Sequence, residues 1–232
     1  PGALAARTPS VTRKPITTEI FIPGVCSRFV TTTPRIIGCV GWYFRRFGHH
    51  HLDRFFDWNP SIQLVLVLPK DQINYWNGLK TDSPFSYKIV EGGKERFHSV
   101  KNGLIALEDV DLVLIHDGVR PVFSNQLLDR CIDGLKEYDA IIPVVSPKES
   151  LRMISDDGSA HLDRSKIKMV QTPQCFEMGS IMRAFDQGYD PTFTDDASFY
   201  EKAGWKLFLY DGEYTNIKIT TPEHQDLMRV YI

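Results

Sequence analysis

The chain has 232 residues, of which 42% are hydrophobic, 12% aromatic and 24% charged. That is enough to bury one good-sized core and too apolar for a disordered segment. No apolar run reaches the ~18 residues of a membrane span, and the opening stretch lacks the continuous apolar centre of a signal peptide. Neither a membrane partner nor export is therefore expected. The net charge of −2 conceals a basic first part, +5 over residues 1–58, and an acidic remainder, −7 over 59–232. Such a remainder excludes a general nucleic-acid binder, and any anionic ligand must be held by a few placed cations. Cys26, Cys39, Cys131 and Cys175 show no CxxC spacing and read as buried or idle thiols of a reducing cytoplasm.

In the first 58 residues only Glu19–Ile22 has the pattern of a strand, and the stretch from Ile36 to His51 shows no clear period. His49, His50 and His51 cannot all face one ion from a regular element, so the run reads as a solvated tract. From residue 60 the punctuation becomes regular. Nearly continuous apolar runs at Ile62–Leu68, Tyr87–Val90, Leu112–Ile115, Ala140–Val145 and Leu207–Tyr210 predict strands covered on both faces. Helical spacing falls between them: after a Ser99 cap, after a Ser124 cap, over Met178–Phe185 and over Ala197–Ala203, with a further start at Thr221-Pro222-Glu223. Strands alternating with helices imply βαβ units and a mostly parallel sheet. The polar stretch 146–168, with Asp156-Asp157-Gly158 as a turn, predicts a projecting β-arm on a single domain spanning 1–232.

Open α/β sheets bind ligands beyond the carboxyl ends of their strands. Several polar clusters fall there. Glu91–Val100 carries the Gly92-Gly93 pair, which permits close backbone approach, and Ser99, whose helix start can receive a base edge or a phosphate. In His116–Pro121, Asp117 stands three residues before Arg120, suited to a metal or ribose beside a phosphate, or to an ion pair that fixes the loop. Asp195 and Asp196 open a helix as ligands or as capping acids. Lys218, in Asn216–Thr220, reads as a cation on the polar face of a buried strand, costly unless an anion meets it.

The series EGGKERFHSV, HDGVRP, DRSKIKMVQTPQ, FTDDAS and NIKIT resembles the 2-C-methyl-D-erythritol 4-phosphate cytidylyltransferase family, from about Pro60 to the end of the chain. The resemblance implies a Rossmann-like nucleotidyltransferase fold of the nucleotide-diphospho-sugar transferase type, a mixed, mostly parallel sheet with a protruding arm. It implies transfer of CMP from CTP to methylerythritol phosphate with Mg²⁺, in a cytoplasmic homodimer of the non-mevalonate isoprenoid pathway. By the same resemblance Gly93, Lys94 and Ser99 read the cytosine, and Asp117 sits near ribose and Mg²⁺ or the substrate hydroxyls. Arg120 approaches the methylerythritol end, and Ser150, Arg164 and Thr172 bind that substrate, Arg164 across the dimer. Lys218 holds the triphosphate and the attacking phosphate together. Ribitol 5-phosphate transfer is the alternative within the class.

One segment departs from the family pattern. The loop after the first strand is expected to be glycine-rich, followed by an arginine and then by proline-lysine. Here Gly24, Arg28 and Pro34-Arg35 stand at the matching spacing, but the other glycines are absent and arginine replaces lysine. The β-carbons of Val25 and Cys26 hinder close approach to phosphate, so weakened CTP binding and a reduced rate are expected. A misread segment, a divergent working loop and a non-catalytic nucleotide-binding homologue all fit this stretch.

Overall fold

The structure is a computed structural model and describes residues 36–41, 48–79, 85–221 and 224. All of them belong to one unit, Arg35–Ile232. The sheet contains β1 (Ile36–Gly41), β2 (Gln63–Leu68), β3 (Lys88–Glu91), β4 (Leu112–Asp117) and β5 (Ala140–Val145). The arm strands β6 (Leu151–Ser155) and β7 (Gly158–Leu162) follow, then β8 (Met169–Val170), β9 (Gln174–Glu177) and β10 (Phe208–Asp211). The main sheet runs β10-β5-β9-β4-β1-β2-β3, with β8 also paired to β5. Its pairs are parallel except those of β8 and β9, which run antiparallel. Among the described residues no helix is long and apolar enough to cross a membrane.

Burial explains the apolar runs of β2, β4 and β5. β3 and β10, expected to be covered on both faces, are instead the two edge strands of the sheet and stay largely exposed or half-buried. The side chains of β2 and β4 alternate between two cores, so both halves of each run are covered. Leu64, Leu66 and Leu114 pack on one face with Leu52 and Phe55 of α1 (Gly48–Trp58), Trp76 of α2 (Lys70–Gly78) and Leu127 and Cys131 of α4 (Asn125–Leu135). Val65, Val67, Val113 and Ile115 pack on the other with Phe97 and Leu104 of α3 (Arg96–Ile105), Ile181 of α5 (Met178–Ala184) and Phe199 of α6 (Asp196–Lys202). Pro143, inside β5, falls where the antiparallel neighbour changes from β9 to β8, so its missing N–H leaves no gap within either ladder.

Several expectations are met and several are corrected. The arm is a two-stranded sheet of its own, turned by Asp156-Asp157 and closed by Gly158 at φ +129°, a conformation that favours glycine. Ser124 caps α4 by accepting from the Leu127 N–H. Ser99 is not a cap: α3 begins three residues earlier, after Glu95, and the Ser99 N–H bonds to the Glu95 carbonyl as an ordinary helical donor. The stretch read as lacking a pattern holds β1 and the start of α1. β1 occupies the central place between β2 and β4. His49–His51 fall in the first turn of α1, and their side chains lie outside the described residues. Glu19–Ile22 and most of the helix expected from Thr221 also lie outside them. Residues 216–220 are not a strand. The segment is held by the buried Asn216, bonded to Arg120, Gln171 and Thr172, and by Ile219, whose side chain is buried and whose N–H donates to the Val119 carbonyl. Cys131 and Cys175, read as free thiols, form a disulfide between α4 and β9. Both are fully buried in the same core, where tertiary packing rather than any local motif brings them together.

Candidate active site

β1 and β4 run side by side with Gly41 opposite Asp117 at their carboxyl ends, the edge at which sheets of this kind bind ligands. Asp117 is the last residue of β4. Three cations from distant segments surround its carboxylate. Lys218 Nζ lies 3.1 Å and Arg120 Nε 3.5 Å from Oδ2, while Arg96 Nη2 lies 3.8 Å from Oδ1. Burial acts to raise the Asp117 carboxyl, but Arg96, Lys218 and Arg120 outweigh it and hold it below the usual carboxylate range.

The cations are themselves fixed. Arg120 donates to the Asn216 carbonyl at 2.8 Å and to the Val170 carbonyl at 3.4 Å, tying the loop after β4 to the segment that carries Lys218. Arg96 forms a two-pronged pair with Asp196, at 2.7 and 2.6 Å. Burial works against the Arg96 charge, and Asp196 more than offsets it, so the guanidinium is held above its ordinary pKa. Of the acids opening α6, Asp195 is the cap, in a reciprocal box with Ser198, and Asp196 is the buried partner of Arg96.

Behind Asp117 runs an ordered chain of hydrogen bonds. The Asp117 N–H donates to Thr172 Oγ1 at 3.0 Å. His116 Nε2 meets the Arg120 carbonyl at 2.9 Å, and its Nδ1 meets Thr172 Oγ1 at 3.1 Å. A carbonyl only accepts, so Nε2 carries the proton and Nδ1 accepts from the Thr172 hydroxyl. Burial pushes the imidazole down to about 4, which keeps it neutral. Thr172 is buried. Its hydroxyl, expected to face a substrate phosphate, is turned inward, because its proton goes to His116. Asn216 Nδ2 donates to the Thr172 carbonyl at 2.7 Å.

A second cluster lies at the turn between β3 and α3. Ser99 Oγ accepts from the Gly93 N–H at 3.0 Å and donates to the Glu95 carbonyl at 3.1 Å. Lys94 beside it is exposed. Asp117, Arg120, Lys218 and Thr172 thus come together, and Gly93 and Ser99 bond to each other. Ser150 and Arg164 sit elsewhere, exposed at the root of the arm, where Arg164 donates to the Lys148 carbonyl. Gly24, Arg28 and Arg35 lie outside the described residues and precede β1 in the chain. Among the described residues no group of three His, Cys, Asp or Glu side chains could hold a metal.

The family model described as 2-C-methyl-D-erythritol 4-phosphate cytidylyltransferase matches residues 49–232. This chain belongs to that family. A relative of that name from Bacteroides thetaiotaomicron is 42% identical over 175 residues, which cover 75% of this chain and 80% of the relative. Another, from Porphyromonas gingivalis, is 41% identical over 187 residues, covering 79% and 83%. The crystal structure of 4-diphosphocytidyl-2C-methyl-D-erythritol synthase from Anaerococcus prevotii superimposes with a TM-score of 0.77 at 27% identity, covering 85% of this chain and 96% of that one. The fold class read from the sequence is thereby that of the family. Within this cytidylyltransferase family member, sequence reading missed Arg96, hidden in the charged run Lys94-Glu95-Arg96, and His116. The Asp195-Asp196 doublet gave no signal for Arg96, since an acid in the first turn of a helix is favoured there with or without a cationic partner.

Proposed function

We propose that this chain transfers CMP from CTP to the phosphate of 2-C-methyl-D-erythritol 4-phosphate, releasing pyrophosphate, in non-mevalonate isoprenoid synthesis. The observation that carries this reading is the convergence of Arg96, Arg120 and Lys218 on Asp117 at the carboxyl edge of the sheet, in a member of this family. An oxygen of the substrate phosphate attacks the α-phosphorus of CTP, and the bond to the departing pyrophosphate breaks. Two anions must be brought together while charge builds on the bridging oxygens. Preorganised cations that match this charge, with in-line positioning, supply most of the acceleration. No side-chain nucleophile is needed.

Lys218, half exposed beside a fixed carboxylate, is assigned to the phosphates, with Gly24 as a further candidate for the triphosphate and Arg28 and Arg35 as candidate cations that stabilise the transition state. Gly93, Lys94 and Ser99 are assigned to cytosine, and Arg120 to the methylerythritol end. Thr172 acts as a support for Asp117. Ser150 and Arg164 serve the site of a partner subunit in a cytoplasmic homodimer built through the arm, whose Met153 and Ile154 are exposed apolar side chains. Mg²⁺ fits this donor set. Asp117 is held ionised at the sheet edge to which the phosphates are assigned. One such carboxylate beside substrate phosphates is an ordinary Mg²⁺ environment. Asp117 would hold the ion, which would neutralise phosphate charge.

The test is pyrophosphate release by the purified chain with CTP, Mg²⁺ and methylerythritol phosphate, with ribitol 5-phosphate as competitor. Transfer to methylerythritol phosphate is expected, at a rate limited by the glycine-poor stretch. A folded chain that releases no pyrophosphate, or that prefers ribitol 5-phosphate, would overturn the reading.

A further inference from the structure

Arg96 and Asp196 stand apart from the residues assigned above. Asp196 is completely buried, yet its carboxylate takes both prongs of the Arg96 fork. The pair joins the first turn of α3 to the first turn of α6. The arginine is 37% exposed and the acid fully buried, and replacing a buried acid and its partner by apolar side chains is often neutral or stabilising, so stability alone gives little reason for the pair. Its position gives another. Lys218 and Arg120 both act on Oδ2 of Asp117, whereas Arg96 is the cation on Oδ1 among the described residues.

The framework around the pair is continuous with the support of Asp117. Asp195, next to Asp196, accepts from Gln174 Nε2 at 2.7 Å, and Gln174 Oε1 accepts from the Ala197 N–H at 2.9 Å. Gln174 is buried at the start of β9, two residues after Thr172, whose hydroxyl oxygen accepts from the Asp117 N–H. The start of α6 is thereby locked to β9, and β9 leads back to the Asp117 backbone. We propose that Arg96 is a positioning residue of the transfer reaction, oriented by Asp196 so that its second contact fixes the Oδ1 side of Asp117. This rests on the reading of function given above. The fork requires a guanidinium, because an ammonium on a flexible stem cannot hold Asp196 in two prongs while reaching Asp117.

The experiment compares the unmodified chain with Asp196→Asn, Arg96→Lys and the double variant. It records kcat, the KM for each substrate and the thermal midpoint. Each single change is expected to lower kcat about 10- to 100-fold, the scale of a misplaced reacting group, with KM for CTP changed by less than about threefold. The double variant is expected to be no slower than the worse single one, since both changes break one unit. Folded variants with kcat within about twofold of the unmodified chain, or single losses that multiply in the double variant, would overturn the proposal. Should Asp196→Asn fail to fold, Arg96→Lys asks the same question with the charge retained. An unmodified chain that transfers no CMP would remove the functional reading and this proposal together, whereas an active chain with indifferent variants removes the proposal alone.

Discussion

Lys218 Nζ stands 3.1 Å from Asp117 Oδ2, and the lysine side chain is 49% exposed where the carboxylate is 16% exposed. The acid is thus the fixed member of the pair and the lysine the accessible one. A half-exposed ion pair adds little to stability, because solvent screens it, but the same ammonium is free to turn toward an arriving phosphate. Lys218→Gln is therefore expected to lower kcat by about 10²- to 10³-fold, as loss of one preorganised donor does. The urea midpoint of unfolding should scarcely move. Parallel steady-state rates and urea titrations check this, and a large stability loss with an intact rate would contradict it.

His116 makes a prediction about acid stability. It is 1% exposed, lies edge-on to the rings of Phe55 and Phe123, and its imidazole is pushed down to about 4 by burial. The unfolded chain takes up this proton near pH 6.5, while the folded one does not until about 4. Between those values the unfolded state binds more protons, so stability is fully present above pH 6.5 and declines as the pH falls. The loss from this one group is on the order of 3 kcal/mol across the window. Asp117, whose carboxyl is depressed, adds a loss only further down, as pH falls below the ordinary carboxylate range. Urea unfolding at intervals from pH 7 to 4 should show the decline in the unmodified chain, and His116→Gln should flatten it even if the variant is less stable throughout.

Physical context decided which parts of this molecule could be read from its residues. β2, β4 and β5 were legible because strands covered on both faces must be apolar throughout. β9 was not: Gln174–Glu177 has only two apolar residues, and its place between β4 and β5 is set by its neighbours. β1, with two glycines in Ile36–Gly41, gains its central position in the same way. Ile217-Lys218-Ile219 has the alternation of a strand, yet no strand ladder holds it: Asn216 is bonded to Arg120 and Thr172, and Ile219 is buried and bonded to Val119. Asp117, Arg120 and Lys218 stood out as charges in apolar surroundings. Arg96 did not, because a charged run at a helix start looks the same whether it faces water or a buried acid. The Cys131–Cys175 pair carries no local signal, since each cysteine sits alone in its own element.

The arm predicts the state of assembly. Ile154 is 76% exposed and Met153 54% exposed on β6, which among the described residues pairs only with β7. The two are consecutive in β6 and so lie on opposite faces of the two-stranded ribbon; a second copy that packs on the Ile154 face would cover the more exposed of them. Sedimentation should give a dimer for the unmodified chain, and Ile154→Asp should shift it toward monomer with an unchanged thermal midpoint for the main unit. A monomeric unmodified chain at micromolar concentration would refute the arm as a dimer element.

Gly93 offers the sharpest local test, because the outcome depends on a single added methyl group. A β-carbon there would stand 2.3 Å from His98 Cβ and 3.0 Å from the His98 carbonyl carbon. Neither atom can swing aside, since both belong to the first turn of α3. The turn after β3 must then lift away from the helix, breaking the bond from the Gly93 N–H to Ser99 Oγ and displacing the backbone assigned to cytosine. Gly93→Ala is expected to raise the KM for CTP by about tenfold or more while the KM for methylerythritol phosphate stays within about threefold, the pattern of a lost binding contact for one substrate. Gly92→Ala, whose β-carbon would meet the Ser99 hydroxyl oxygen at 3.0 Å, should act in the same direction more weakly, because a hydroxyl can rotate. Gly78→Ala, with nothing within 4 Å, is the control, expected to change stability by no more than about 0.5 kcal/mol and neither KM. Equal KM values for CTP in Gly93→Ala and Gly78→Ala would detach this turn from nucleotide binding.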